Sequence, residues 1–74
     1  MALELKATIN RGVDKELRIY AGVYYGIEVI DIRWYQETAG TMTPTRKGVR
    51  FNKEEGEHLL QVLERLMTEV ETEF

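Results

Sequence analysis

Four stretches of the chain alternate apolar and polar residues with a period of two, and a fifth recurs at three and four. In the first, Leu3, Leu5, Ala7 and Ile9 alternate with Glu4, Lys6, Thr8 and Asn10. In the second, Leu17, Ile19, Ala21 and Val23 alternate with Glu16, Arg18, Tyr20, Gly22 and Tyr24. Residues 27–35 place Ile30 and Ile32 on one side and Asp31, Arg33 and Tyr35 on the other. Val49 and Phe51 flank Arg50 in a short fourth stretch. Successive side chains of a strand point to opposite faces, so each stretch predicts a half-buried strand. Asn10-Arg11-Gly12 and Tyr25-Gly26 supply turns, because glycine reaches positive φ at little steric cost. Residues 36–45, with Gly40 and the single proline Pro44, read as a loop.

After Phe51 the period changes. Asn52 can cap a helix, and Glu55 three positions later completes a capping-box pair. Leu59, Val62, Leu63, Leu66, Met67 and Val70 then form an apolar stripe at helical spacing. The order β-β-β-β-α over residues 1–74 predicts one α+β domain: a four-stranded curved antiparallel β-sheet followed by one C-terminal α-helix. Leu60 widens the stripe beyond what a small sheet covers. That extra width either packs under the sheet edge or forms a homodimer seam in which two helices share a core.

Size sharpens the choice. A chain of 74 residues buries only about 60% of its unfolded surface, and such small domains need added support. Cysteine is absent and His58 is the only histidine, which excludes disulfides and thiolate ligands, and His58 cannot build a zinc site alone. No cofactor or metal is therefore expected, and self-association is the remaining support. Apolar runs fall far short of the ~20 residues that cross a bilayer, and the first residues lack the features of a signal peptide. The expected location is intracellular, cytoplasm or nucleoid, or the nucleus in a eukaryote, with no membrane partner.

The formal charge of −3 conceals an uneven distribution. Residues 1–52 hold eight Lys or Arg against six Asp or Glu; residues 53–74 hold two against seven. The sheet-forming part is basic and the helix acidic.

Catalysis finds few candidates. There is no Cys or Ser nucleophile, and His58 stands among Glu54, Glu55 and Glu57 at a helix start, where carboxylates suit the positive dipole end. No phosphate loop or metal-ligand spacing occurs. The chain reads as a non-enzyme.

Polar strand faces are more informative. If the second and third strands pair through Tyr25-Gly26, Arg18, Tyr20 and Tyr24 share a face with Arg33 and Tyr35. Cations then interleave with rings opposite the face the helix covers. Exposed rings accept nucleobases by stacking while Arg and Lys follow phosphates. Arg46-Lys47, with Arg50 nearby, adds charge at the entry to the fourth strand. The plainer alternative is that the arginines are solvated and the rings serve as cross-strand pairs. Trp34 has the opposite parity from Arg33 and is expected on the helix side or at the dimer seam, unless a bulge re-aims it.

The run Ile30-Asp31-Ile32-Arg33-Trp34-Tyr35, then Met42-Thr43-Pro44-Thr45-Arg46-Lys47-Gly48-Val49, then Phe51-Asn52 and an acidic amphipathic helix, resembles the DNA-binding domain of the positive cofactor four (p15) transcriptional coactivators. The similarity runs from about Lys15 to Leu66. It implies a homodimer joined through the C-terminal helices, whose two sheets form a groove for single-stranded DNA. It also implies DNA contacts at Lys15, Tyr24, Arg33, Arg46 and Lys47. Gly22 and Ile27 depart from the family's human member, which has basic residues there; the tryptophan beyond Tyr35 is replaced by Gln36 or displaced to Trp34.

The expected function is sequence-independent single-stranded DNA binding, in transcription or in DNA replication, recombination or repair, alongside proteins of those processes. The competing reading is a protein-interaction adaptor that binds no DNA. Residues 69–74, acidic and closed by Phe74, read either as a partner-docking tip or as a helix end whose ring caps the core.

Overall fold

The computed structural model describes residues 2–73, with side chains to residue 70; Phe74 lies outside the described residues. Four strands, β1 (Ala2–Arg11), β2 (Lys15–Tyr24), β3 (Ile27–Thr38) and β4 (Thr41–Asn52), precede a helix, α1 (Lys53–Glu73). The strands form one antiparallel sheet in the order β1-β2-β3-β4, each paired with its neighbour in sequence. The expected element order and fold class are therefore observed.

Two sequence expectations need correction. Residues 36–45 are not a loop: β3 continues to Thr38, β4 starts at Thr41, and only Ala39-Gly40 turns the chain. Both turn residues have positive φ, 52° and 82°, the left-handed pair of a tight hairpin turn. Pro44 is tolerated within β4 because β4 is an edge strand, where a missing N–H costs no ladder bond on the open side. The fourth strand is accordingly twelve residues long rather than short.

The second correction concerns β1. Register breaks between Leu5 and Ala7, so Leu5 opposes Tyr20 and Leu3 opposes Gly22, whereas Ala7 opposes Ile19 and Ile9 opposes Leu17. Lys6 is the extra residue. Because one inserted residue flips everything beyond it, the alternating set Leu3, Leu5, Ala7, Ile9 is divided between the two faces. Period-two counting cannot see a bulge.

The helix start forms as its capping signal requires. The Asn52 side-chain oxygen accepts from the Glu55 N–H at 2.9 Å, and the Glu55 carboxylate accepts from the Asn52 N–H at 2.8 Å. Gly56 brings this first turn onto Phe51, whose ring would stand 3.0 Å from a Cβ there. Beyond that contact the helix runs free. Leu60, Leu63, Leu66, Met67 and Val70 are 42–58% exposed, and no apolar side chain among the described residues is fully buried. A groove of about 780 Å³ separates the helix from the sheet, lined among others by Ile19, Ile30, Ile32, Phe51, Leu60 and Leu63. One chain thus leaves its entire apolar interior open along one side.

Candidate nucleic-acid interface

The face opposite α1 is set by strand register. Arg18 opposes Arg33, Tyr20 opposes Asp31, Glu16 opposes Tyr35 and Tyr24 opposes Ile27. Across β3, Asp31 opposes Arg50 and Arg33 opposes Gly48. Directly opposed residues share a face, so Arg18, Tyr20, Tyr24, Arg33, Tyr35 and Arg50 form one surface. A depression of about 340 Å³ lies on it, lined by Leu3, Tyr20, Asp31, Arg33, Tyr35, Pro44 and Arg50.

Asp31 organises its centre. It is the one buried residue described, 4% exposed, and two arginines converge on it. Arg33 donates Nε to Oδ1 at 3.3 Å and Nη2 to Oδ2 at 3.2 Å; Arg50 donates Nε to Oδ2 at 3.0 Å. A carboxylate out of water is costly unless paired and hydrogen-bonded, and here both oxygens are.

Arg33 also holds the irregular part of β4. Between the pairs Arg33–Gly48 and Tyr35–Pro44, β3 has one residue, Trp34, and β4 has three, Thr45, Arg46 and Lys47. The Arg33 Nη1 donates to the Thr45 carbonyl at 3.0 Å, and the Thr45 hydroxyl donates to the Trp34 carbonyl at 2.8 Å. These bonds fix the bulge at its base while Arg46 and Lys47 stay exposed. Ion pairs among the described residues join Lys6 to Glu4, Arg18 to Glu16, and Arg33 and Arg50 to Asp31; none involves Arg46 or Lys47.

Toward the other end of the surface, the Arg18 guanidinium lies 4.3 Å over the Tyr35 ring, and the Tyr20 and Tyr35 rings stack at 6.3 Å. Hydrogen bonding from Tyr35, then from Arg18, lowers the Tyr20 pKa. Burial first, and then the bond to Tyr20, raises that of Tyr35. Bonding to Glu16 further favours the charged form of Arg18. At the β2–β3 hairpin, Arg50 stacks 4.6 Å over the Tyr24 ring.

Of the residues chosen from sequence, Arg18, Tyr20, Tyr24, Arg33 and Tyr35 come together on this surface, with Arg46 and Lys47 at its β4 edge. Lys15 does not join them: it opposes Gln36 and shares the parity of Leu17, which puts it on the other face at the end of β2. Trp34 also takes that other face, opposing Leu17, with the Arg11 guanidinium 4.4 Å over its ring. Gly22 could carry no basic side chain, since a Cβ there would overlap the Ala2 carbonyl on β1. Sequence reading underrated Asp31, Thr45 and Gly48, whose roles are to seat Arg33. The available signal was parity, because Asp31 alternates with the same apolar residues as Arg33. No group of three or more His, Cys, Asp or Glu among the described residues is arranged to hold a metal. No described helix is long and apolar enough to cross a membrane.

Sheet, helix and surface together define a β-meander-plus-helix protein that presents arginines and tyrosines on the uncovered side of its sheet. The family model for Transcriptional Coactivator p15 (PC4) matches residues 12–62, and the chain belongs to that family. Among solved structures it is similar to a PC4 homolog from Burkholderia pseudomallei, with a TM-score of 0.78 and 22% identity over 89% of this chain and 98% of that one. It is also similar to the bacteriophage T5 homolog of the eukaryotic coactivator PC4, a protein implicated in recombination-dependent DNA replication. There the TM-score is 0.77, with 16% identity over 96% of this chain and 83% of the other. No curated protein sequence matches the chain significantly.

Proposed function

We propose that this protein is a non-enzymatic, sequence-independent single-stranded DNA-binding protein that acts as a homodimer. The observation that carries this reading is that Arg33 and Tyr24 occupy one uncovered sheet face, with Arg50 linking them. Arg50 bonds to the same carboxylate as Arg33 and stacks on the Tyr24 ring. Rings on such a face can stack only on unpaired bases, which favours single strands over duplex. Exposed Arg46 and Lys47 are suited to phosphates, each neutralised phosphate adding about −0.7 to the salt slope. The paired arginines keep free N–H donors but carry less uncompensated charge.

Dimerisation supplies what one chain lacks. With no apolar side chain fully buried and the helix stripe exposed, a 74-residue chain has too little core to be stable alone. A second copy packed along α1 would close the groove and leave the arginine–tyrosine faces outward. Membership of the p15 family and the described role of the phage homolog support service in transcription or in replication, recombination or repair. The test is fluorescence anisotropy of a labelled oligothymidylate and of a matched duplex, run beside light scattering. Tighter binding of the single strand by a dimer is expected; equal affinity for the two DNAs would defeat the stacking mechanism.

A second reading is a protein-interaction adaptor without DNA binding. It is favoured by the acidic character of α1, which carries Glu54 and Glu55 in its first turn and no basic residue in its last. Absence of oligothymidylate binding at about 100 µM protein, the weak end of non-specific affinities, would decide for it.

A further inference from the structure

We infer that Tyr25, at the tip of the β2–β3 hairpin, is a base-stacking residue that extends the track begun by Tyr24. The inference rests on the single-stranded DNA reading above and adds a contact that strand alternation does not reveal. Tyr25 is 82% exposed, the most open of the large rings described. It stands edge-to-face with Tyr24, ring centroids 4.6 Å apart and planes at 85°. Arg50 already covers a face of Tyr24 at 4.6 Å. The free aromatic area at this corner therefore belongs to Tyr25.

Backbone geometry gives the second argument. Tyr25 has φ 52° and Gly26 φ 76°, so both central turn residues are left-handed. Such turns favour Asn-Gly or Gly-Gly, and a bulky side chain at the first position is held at a conformational cost. At 82% exposed, with the edge contact to Tyr24 as its ring partner, Tyr25 recovers little of that cost by burial. Turn chemistry thus gives no reason for a ring at this position, whereas a surface that must offer a flat apolar platform does.

The surroundings select the occupant. Ile27, the cross-strand partner of Tyr24, is 57% exposed and prolongs the apolar surface. Arg50 and Arg33 follow on the same face. Alternating cations and open rings suit a flexible polyanion with unstacked bases. The broad aliphatic surface suited to a protein partner lies on the opposite side, along α1.

Tyr25→Asn tests this cleanly, because asparagine is the residue the turn prefers. The variant is expected to melt no lower than the wild type and to keep its mass by light scattering. Its affinity for oligothymidylate should fall by at least about fivefold, at the lower end of the cost of losing one stacked base. The salt slope should not change, since no phosphate contact is removed. Tyr25→Phe should bind like the wild type, and an oligonucleotide of abasic sites should show no difference between Tyr25→Asn and wild type. Wild-type binding with an undiminished Tyr25→Asn affinity would overturn the inference and leave the DNA-binding reading intact. Loss of affinity together with dissociation or a lowered melting temperature would overturn it in favour of a structural role. Failure of the wild type itself to bind would remove both.

Discussion

The guanidinium of Arg33 lies directly over Gly48: a Cβ at Gly48 would stand 2.8 Å from the Arg33 Cζ and 2.8 Å from the Ile32 carbonyl. Glycine is required there for space rather than for backbone freedom. Gly48→Ala must push Arg33 off its seat or displace β4 from β3, and overpacking of this kind costs about 1–3 kcal/mol. Reduced stability in chemical denaturation and weaker oligonucleotide binding are expected. In a Gly48→Ala background, removing the Arg33 side chain should cost much less affinity than it does in the wild type. Full additivity of the two effects would show that Gly48 acts elsewhere.

Asp31 offers a test in which charge and position have opposite signs. Asp31→Asn makes the protein more positive, so long-range attraction to DNA should increase. The same change weakens the bonds that hold Arg33 and Arg50. If orientation governs binding, affinity falls and stability drops by roughly 1–3 kcal/mol, the cost of poorly satisfied buried groups. We expect the fall. A gain in affinity at low salt would mean that the arginines act only as diffuse charge.

Tyr20 and Tyr35 should titrate apart. Tyr20 ionises below the ordinary value of 10.0 because Tyr35 and Arg18 hydrogen-bond to it; Tyr35 ionises above it through burial and that same bond. The stability contributed by Tyr20 is therefore present above pH 10 and fades as pH falls through its lowered folded value. The contribution of Tyr35 is complete below pH 10 and is lost as pH rises through its raised value. A near-ultraviolet absorbance titration should resolve an early and a late tyrosine, and Tyr35→Phe should move the early one back toward 10. An unchanged early phase in that variant would break the link between the two hydroxyls.

Self-association should be inseparable from folding. Leu60 and Leu63 line the open groove while remaining 56% and 43% exposed in one chain. Leu60→Glu or Leu63→Glu should yield a monomer that unfolds without a sharp transition. The melting temperature of the wild type should rise with protein concentration, as mass action requires of a coupled dimer. A concentration-independent transition of a monomer would refute this.

Much of the architecture was legible because local rules and the fold agreed. The alternation in β2 and β3 placed Arg18, Tyr20, Tyr24, Arg33 and Tyr35 on one face without interruption, and the Asn52–Glu55 signal marked the helix start. Errors fell at a register shift in β1 and at turn-forming residues set inside or between long strands. Lys6 bulges β1 and sends Leu3 and Leu5 to the face of Tyr20, while Gly40 and Pro44 made residues 36–45 look like a loop although Gln36 to Thr38 pair regularly with Thr41 to Thr43. A proline in an edge strand reads like a turn until the strand order is known. Lys15 was drawn from family resemblance, and parity puts it on the other face.

The sequence alone determined the element order, the cap, the basic–acidic division of the chain and the common parity of the arginines and tyrosines, because these depend on neighbours within a few residues. Only the tertiary structure decided which arginines share Asp31, that Gly48 makes room for Arg33, and that the helix leaves its apolar stripe uncovered. Those relations join residues far apart in the chain, and spacing along a single strand carries no information about the register of the next.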